Sequence, residues 1–400
     1  MPWALVAAAG GILLLNMGAR QSLGLFIAPI DATRPVDLVG ISFAFAVSQL
    51  VWGAVQPVFG ALVERWGTFR IIVLGAALVA IGTAATPYVQ SSAGLSLTLG
   101  VLAAAGAGAG SFSILIGWLA RHVPDERRAL ASGVINAGSS LGQFVFAPLT
   151  QWLIETWGWV HALHVLAASA LAVIPLAWLL ARGTARVALP AAPAGEITHL
   201  GAQLRVAFRD RSYLLVHAGF FTCGFHIGFL TTHLPGEVAL CSLAPTVSAR
   251  ALALIGLFNI AGSVIAGWLC QRHRMKHVLA AMYASRAVLI VAYLFAPKTP
   301  FTFYAFAAAL GFTWLATVPP TAGLVGKLFG TRFLATLFGL ALFSHQVGGF
   351  FGAWLGGVTM SRYGDYTWMW YADAVLALLA AAANLPIREA PLARPLVRAT

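Results

Sequence analysis

One arginine, Arg20, stands in the stretch NMGARQSLGLFIAP (residues 16–29), inside an apolar run that reaches from residue 3 to residue 30. A guanidinium there costs at least ~2.5 to 3.5 kcal/mol on insertion scales, so it needs a route to water or a task. Its chemistry suits a carboxylate, because its planar fork of donors is always charged and can bind two oxygens at once. Asn16, Arg20 and Gly24 recur at i, i+4 and i+8, which makes one helical stripe whose glycine leaves room beside a ligand. A second stripe holds Thr222, His226 and His233, and a histidine can change charge between about pH 5 and 8. A third, Trp314, Thr317 and Thr321, adjoins Pro319 and Pro320, which mark a kink. Arg20 has three open readings: substrate contact, pairing within a gate, and snorkelling to the headgroups. His226 and His233 read either as functional groups or as packed core, and the Trp314 stripe either lines a cavity or packs helices.

The elements that must position these groups are membrane spans. Hydrophobic residues make up 60% of the 400, charged ones only 9%, and the mean hydropathy is +0.85, far from the soluble average. The formal charge is +12, but the basic residues form no patch with interleaved aromatics and fall in short clusters between apolar runs, which argues against a nucleic-acid partner. Cys223, Cys241 and Cys270 lack metal-ligand or CxxC spacing and read as packing residues. No nucleophile elbow, Walker loop or HExxH occurs, so no enzyme activity, cofactor or metal is expected. With no basic region ahead of it, the first apolar run reads as a retained span, not a signal peptide.

A spanning helix needs about 20 apolar residues. Twelve such segments can be placed, near 3–30, 38–63, 69–89, 93–120, 128–154, 159–181, 212–236, 247–270, 278–297, 300–325, 333–360 and 367–386. Of the alternate loops, one set holds most of the Lys and Arg, and the other only Arg34, Arg250, Lys298 and Arg362. The basic set and both termini are therefore expected to be cytoplasmic. Residues 182–211 are charged and Pro-bearing, and read as a cytoplasmic linker between six-helix bundles at 1–181 and 212–400, the latter ending in a short cytoplasmic tail.

The bundles repeat one another. Gly18, Arg20 and Pro29 fall on Gly224, His226 and Pro235, each 206 positions on. GALVERWGTFR (residues 60–70) falls on GWLCQRHRMKH (residues 267–277) at offset 207. Gly133, Gly142 and the pair Trp157-Gly158 fall on Gly339, Gly348 and Tyr363-Gly364, again at 206. Agreement of three separate matches predicts a parallel duplication, whose pseudo-symmetry sets Arg20 opposite His226.

Twelve spans, a parallel repeat and the loop pattern Gly60, Leu62, Glu64, Arg65, Gly67 and Arg70 resemble the major facilitator superfamily. GARQSLGLFIAPI, RRALASGVINAGSSLGQFVFAPL, CGFHIGFLTTHLP and FGLALFSHQVGGFFGAWLGG further resemble bacterial relatives of monocarboxylate transporters and oxalate/formate antiporters. The resemblance implies an all-α fold of two six-helix bundles with substrate near the midplane, between spans one, four, seven and ten. It also implies gating roles for Glu64, Arg65 and Arg70, with Arg272 in the second copy, where Gln271 replaces the acid. The eighth span of animal monocarboxylate carriers has a substrate-binding arginine, whereas this one offers only Asn259 and Ser263, so lactate or pyruvate specificity does not carry over.

Arg286 lies in a span that is peripheral in that family and reads as paired within the fold or snorkelled. Ser344, His345 and Gln346 in span eleven, and Asn136, Ser139, Ser140 and Gln143 in span five, read as interhelical hydrogen-bonding groups. Asp31, Asp37, Glu155, Glu237 and Asp365 fall in outer loops, and Asp373 lies a few residues into span twelve. No carboxylate is expected deep in a cavity-lining span, which disfavours basic substrates. The expected function is alternating-access transport of a small organic anion, a monocarboxylate foremost, with a proton as the candidate coupling ion. Substrate contacts are expected from Arg20, Asn16, His226, Thr222, His233, Trp314 and Thr317. A rival is a carrier or exporter of neutral or lipophilic compounds with Arg20 as a gate, and a non-transporting sensor is a third possibility. The protein is expected to act as a monomer in a lipid bilayer, the inner membrane of a bacterium.

Overall fold

The computed structural model describes residues 3–123, 125–182, 199–330 and 333–390, which form helices without a strand. Apolar segments of this length take the helical form because no water in hydrocarbon can satisfy their backbone groups. The first half runs α1 (Trp3–Gln21), α2 (Ile27–Thr33), α3 (Leu38–Trp66), α4 (Thr68–Ala85), α5 (Ser92–Leu95), α6 (Ala104–Ala109) and α7 (Phe112–His122). It ends in α8 (Asp125–Leu171) and α9 (Val173–Arg182). After α10 (Leu200–Ala207) come α11 (Arg211–Leu240), α12 (Pro245–Arg272), α13 (Met275–Phe295), α14 (Pro300–Gly311) and α15 (Val318–Phe329). The last two are α16 (Leu334–Tyr363) and α17 (Thr367–Asn384). Among the described residues, eight helical stretches are long and apolar enough to cross a membrane.

The repeat seen in the sequence recurs as packing. α1 lies on α8 where a Cβ on Gly18 would stand 2.8 Å from the Gly142 carbonyl oxygen, and α11 lies on α16 where one on Gly348 would stand 2.9 Å from Phe225 N. Gly18 corresponds to Gly224 and Gly142 to Gly348, so the same backbone-on-backbone approach occurs twice. Small residues allow it, and close packing replaces the hydrophobic drive that lipid cannot supply. Gly158, which interrupts α8 at φ 78°, and its counterpart Gly364 after α16 at φ 76°, both take the positive φ that glycine accepts at no steric cost.

Four segments expected as single helices are broken, the sixth only by a one-residue turn at Ala172 between α8 and α9. A 3₁₀ turn, Leu23–Phe26, separates α1 from α2. The fourth apolar segment contains a π-helical run, Ser96–Ala103, and turns at Gly110, against which Asn16 packs. The expected kink at Pro319-Pro320 is a break over residues 312–317, between α14 and α15. Neither proline can donate to a carbonyl four residues back, so the preceding turn needs partners from other helices.

Residues 183–198 of the expected linker and residues 391–400 of the expected tail lie outside the described residues; of the rest of the linker, residues 200–207 form α10, whose Gln203 and Ala207 are buried. Beyond α17 the chain returns to this end of the fold. Glu389 pairs with Lys327 at 2.7 Å and accepts the N–H groups of Met275 and Lys276, at 3.1 and 3.3 Å, at the start of α13. Arg388 pairs with Asp210 at 2.8 Å, the residue that caps α11. Partial burial pushes the Glu389 carboxyl up, but Lys327 and the two N–H groups outweigh it and hold the group below the usual carboxylate range. A carboxyl depressed in the folded state stabilises above its unfolded pKa and loses that contribution as pH falls through the folded value. Glu389→Gln is therefore expected to lower stability at pH 7 by about 1 kcal/mol or less. The difference from wild type should shrink as pH falls below about 4.3 and on through the depressed folded value, which thermal unfolding in detergent across pH would measure.

Candidate functional site

Arg20 borders a cavity of about 100 Å³ in the middle of the fold. Its wall comes from α1 (Met17, Arg20), the 3₁₀ turn (Gly24), α3 (Phe45, Ser48, Gln49, Trp52), α8 (Ser139), α11 (Phe220, Ile227, Thr231), the break (Trp314, Leu315) and α16 (His345, Gln346). The volume suits a small molecule more than a drug-sized one. Arg20 Nη2 donates to Gln49 Oε1 at 2.6 Å, and its guanidinium carbon lies 4.7 Å from the Trp52 ring centre. Its Nε is buried without a hydrogen-bond partner, and among the described residues no carboxylate pairs with it. The fork is thus held by an amide and a ring while charge and donors remain free for an anion.

On the other side of the break, three ionisable groups are buried together. His226 Nδ1 on α11 makes a short hydrogen bond with Asp373 Oδ2 on α17. Arg286 on α13 is 1% exposed. It donates to the carbonyls of Thr313 and Trp314, to Thr313 Oγ1 at 3.3 Å and to Cys223 Sγ at 3.2 Å. Asn259 on α12 supplies what the break still lacks, accepting the Leu315 N–H at 2.9 Å and donating to Ser140 of α8 at 2.8 Å. Irregular backbone is tolerated at such depth where it is buried in protein or lines a cavity, and this break does both.

The residues expected at one site are divided between these places. Arg20 and Trp314 line the cavity, and Asn16 joins Arg20 in an adjoining void of about 30 Å³. His226 does not border the cavity, correcting the expectation that it faces Arg20 there. His226 is held instead by its hydrogen bond to Asp373 of α17. Thr222 back-bonds to the Ala218 carbonyl at 3.3 Å. His233 donates to the Ala353 carbonyl at 2.7 Å and packs on Tyr366, fastening α11 to α16. Thr317 is buried beside Cys223, with oxygen and sulfur 3.4 Å apart. Glu237 is not in a loop but in the last turn of α11, where it accepts the Tyr293 hydroxyl at 2.6 Å.

Among the expected gating residues, the Glu64 side chain lies outside the described residues. Arg65 and Arg70 are exposed, and Arg272 stacks on Trp268 at 4.3 Å without an ion pair among the described residues. The acid serving that end of the second half is Glu389, from the far end of the chain, which no spacing within the loop motif could indicate. Sequence reasoning also passed over Ser48, Gln49 and Trp52 as cavity residues, because span two was not among the lining spans. It assigned His345 and Gln346 to helix packing. These two bond each other at 2.9 Å, and both border the cavity.

The halves meet closely. A Cβ on Gly24 would collide with the Thr231 carbonyl, one on Gly357 with Ser42, and one on Gly349 would stand 3.3 Å from Gln49. A Cβ on Gly53 would also collide with Gln346, and one on Gly256 would stand 2.6 Å from the Ser140 carbonyl oxygen. Halves in close contact around a cavity that a cation borders form an arrangement that could pass a solute by rocking. A sequence model of the Major Facilitator Superfamily matches residues 9–238 and 242–399. The chain belongs to this superfamily. As a superfamily member it is a multi-pass membrane protein that transports small organic molecules, and it is not an enzyme. Monocarboxylate transporter 13 of Bos taurus is 27% identical over 369 residues, 91% of this chain and 84% of that one. The oxalate:formate antiporter of Oxalobacter formigenes is 23% identical over 361 residues, 88% of this chain and 84% of its own. The crystal structure of a D-xylose-proton symporter shares the fold, with a TM-score of 0.72 at 16% identity over 96% of this chain and 97% of that chain. For this superfamily transporter the tight seam gives a direct prediction. Gly24→Val forces α11 away, so a hydrophilic maleimide should label a cysteine introduced by Thr231→Cys faster than in the Gly24 parent, and transport should fall. Equal labelling would show that the seam does not depend on this contact.

Proposed function

We propose that this transporter carries a small organic anion of the monocarboxylate class, held by Arg20, through alternating exposure of the cavity to the two sides of the membrane. The observation that carries the reading is a guanidinium at the cavity wall with no acid partner among the described residues. In a site removed from water such a charge attracts an anion strongly. Support also comes from the relatives named for monocarboxylates and for oxalate and formate. Asn16, Thr222, His226, His233, Trp314 and Thr317 were expected beside Arg20, and in this reading Trp314 is the one that shares its cavity. A proton belongs to the reading as coupling ion, because an imidazole and a carboxylate are buried together in the second half.

The architecture in this reading has twelve spans. Joining helices across their breaks, and dividing α8 at Gly158, gives six before α10 and six after it. The units are residues 1–181 and 212–400, joined by a cytoplasmic linker at 182–211, with both termini cytoplasmic on the strength of the basic loops. Glu64, Arg65, Arg70 and Arg272 stand at the cytoplasmic gate. The protein works as a monomer in a bacterial inner membrane.

A second reading, carriage of a neutral or lipophilic compound with Arg20 as a gate residue, draws support from the apolar side chains of Met17, Phe45, Phe220 and Leu342 in the same wall. Binding decides between them. With purified protein, a panel including formate, oxalate and larger monocarboxylates should raise the unfolding temperature. Arg20→Ala should weaken the best of them by about 10- to 100-fold, the worth of a charge-assisted, two-point hydrogen bond, and Arg20→Lys should restore part of it. Neutral hits without carboxylate hits, or an Arg20→Ala variant that carries organic anions in liposomes as well as wild type, would sink the assignment.

A further inference from the structure

Arg286, Asp373 and His226 are ionisable groups buried at the depth of apolar helices, a placement that is costly unless the groups are paired and hydrogen-bonded, and that therefore marks a purpose. Arg286 has one: it fills the carbonyls left open by the break between α14 and α15. His226 and Asp373 have none that packing explains. Beyond their shared hydrogen bond, His226 Nε2 and Asp373 Oδ1 are both buried with no partner. An imidazole and a carboxylate with one linked position and one open position each form a place where a proton can be added and removed without rearranging the backbone.

We propose that His226 and Asp373 together hold the coupling proton, on the opposite side of the broken helix from the anion, and that the two ligands favour one another across that break. The proposal rests on the anion-transport reading for its coupling half.

The route between the sites is short. The His226 ring lies 6.0 Å from the ring of Trp314, and Trp314 is part of the cavity wall. Arg286, within electrostatic reach of Asp373, grips the Trp314 carbonyl at 2.7 Å. The titratable groups that face Arg286, and through it the pair, are Cys223 on α11 and Tyr283 on α13, with His345 on α16 near Cys223. With His226 neutral, Asp373 and Arg286 carry opposite charges. An added proton, passed from a hydronium ion whose O–H bond breaks as the new N–H or O–H bond forms and which leaves as water, makes the group one charge more positive and weakens the hold of Asp373 on Arg286. Extra positive charge behind a low-dielectric wall raises the affinity of the cavity for an anion. By linkage the anion must raise the affinity for the proton by the same factor. The sign is that of symport: proton and anion load together and leave together.

The test uses the full chain in liposomes. Infrared difference spectra between pH 8 and pH 5, read at carboxyl and imidazole bands, should show a titration that Asp373→Asn and His226→Gln each remove. Adding the strongest carboxylate from the binding screen should move its midpoint up by about one pH unit, a tenfold coupling. Both variants should also cut the ratio of pH-driven accumulation to anion exchange about tenfold. His226→Gln leaves Asp373 beside Arg286 and so remains informative if Asp373→Asn does not fold. A titration that persists in both variants, or one that follows Cys223→Ser instead, would overturn the proton site. A titration that behaves as expected but whose midpoint ignores every carboxylate would overturn the coupling. Absence of any carboxylate binding in wild type, with the titration intact, would mark failure of the anion reading and not of the proton site.

Discussion

A guanidinium cannot be left without partners inside a bundle of apolar helices, and the two that this chain places there are treated in opposite ways. Arg286 is saturated by two carbonyls, a hydroxyl and a thiol. Arg20 is held by one amide and one ring, with its Nε unbonded. The saturated arginine belongs to the scaffold, because without it the turn between α14 and α15 would leave carbonyls unsatisfied in a region without water. The undersatisfied one faces the cavity. Satisfaction of donors, more than charge as such, separates a group that holds the fold from a group that awaits a ligand.

The broken helix ties these roles together. Pro319 and Pro320 remove two donors, which opens the chain ahead of them. Arg286 and Asn259 close the open positions from α13 and α12, while Gly262 lets α12 approach until a Cβ there would overlap the Phe312 backbone. The resulting turn puts Trp314 between the cavity and the buried imidazole. Asn259 also bonds Ser140, so the same turn is attached to the other half of the molecule.

Much of this was legible in the sequence, and the parts that were not share one cause. The apolar runs, the 206-residue repeat and Arg20 as an anomaly are local facts: each needs only composition or spacing, and each reappears, down to the positive φ of Gly158 and Gly364. The family resemblance read from the loop and span motifs also stands. What escaped were pairings between distant helices. Asp373 lies 147 residues from His226, Glu389 lies 114 from Met275, and neither partner carries a signal of the other. Gln49 and Trp52 were visible as polar and aromatic groups in span two, but which way they turn depends on the tilt of α3 against α16. The breaks in α1 and in the fourth apolar segment escaped for a related reason. They occur at glycine-rich turns whose close approach to neighbours, such as Asn16 at Gly110, is set by tertiary packing.

The duplication explains why Arg20 and His226 began alike and ended in different places. Each lies two residues beyond the glycine that packs its helix on a neighbour, about 200° around the helix and so away from that contact. At offsets of 206 to 207, Asp373 corresponds to Ala167 or Leu166, and Arg286 to Ala80 or Val79. Two of these, Leu166 and Val79, border the small void behind Arg20. Where the second half offers His226 a carboxylate, the first half has apolar side chains at the corresponding positions, and Arg20 is held by Gln49 and Trp52 at the cavity. The asymmetry is thus one of compensation: one half pairs its ionisable groups inside the bundle, and the other, without the acid, presents its charge at the cavity wall.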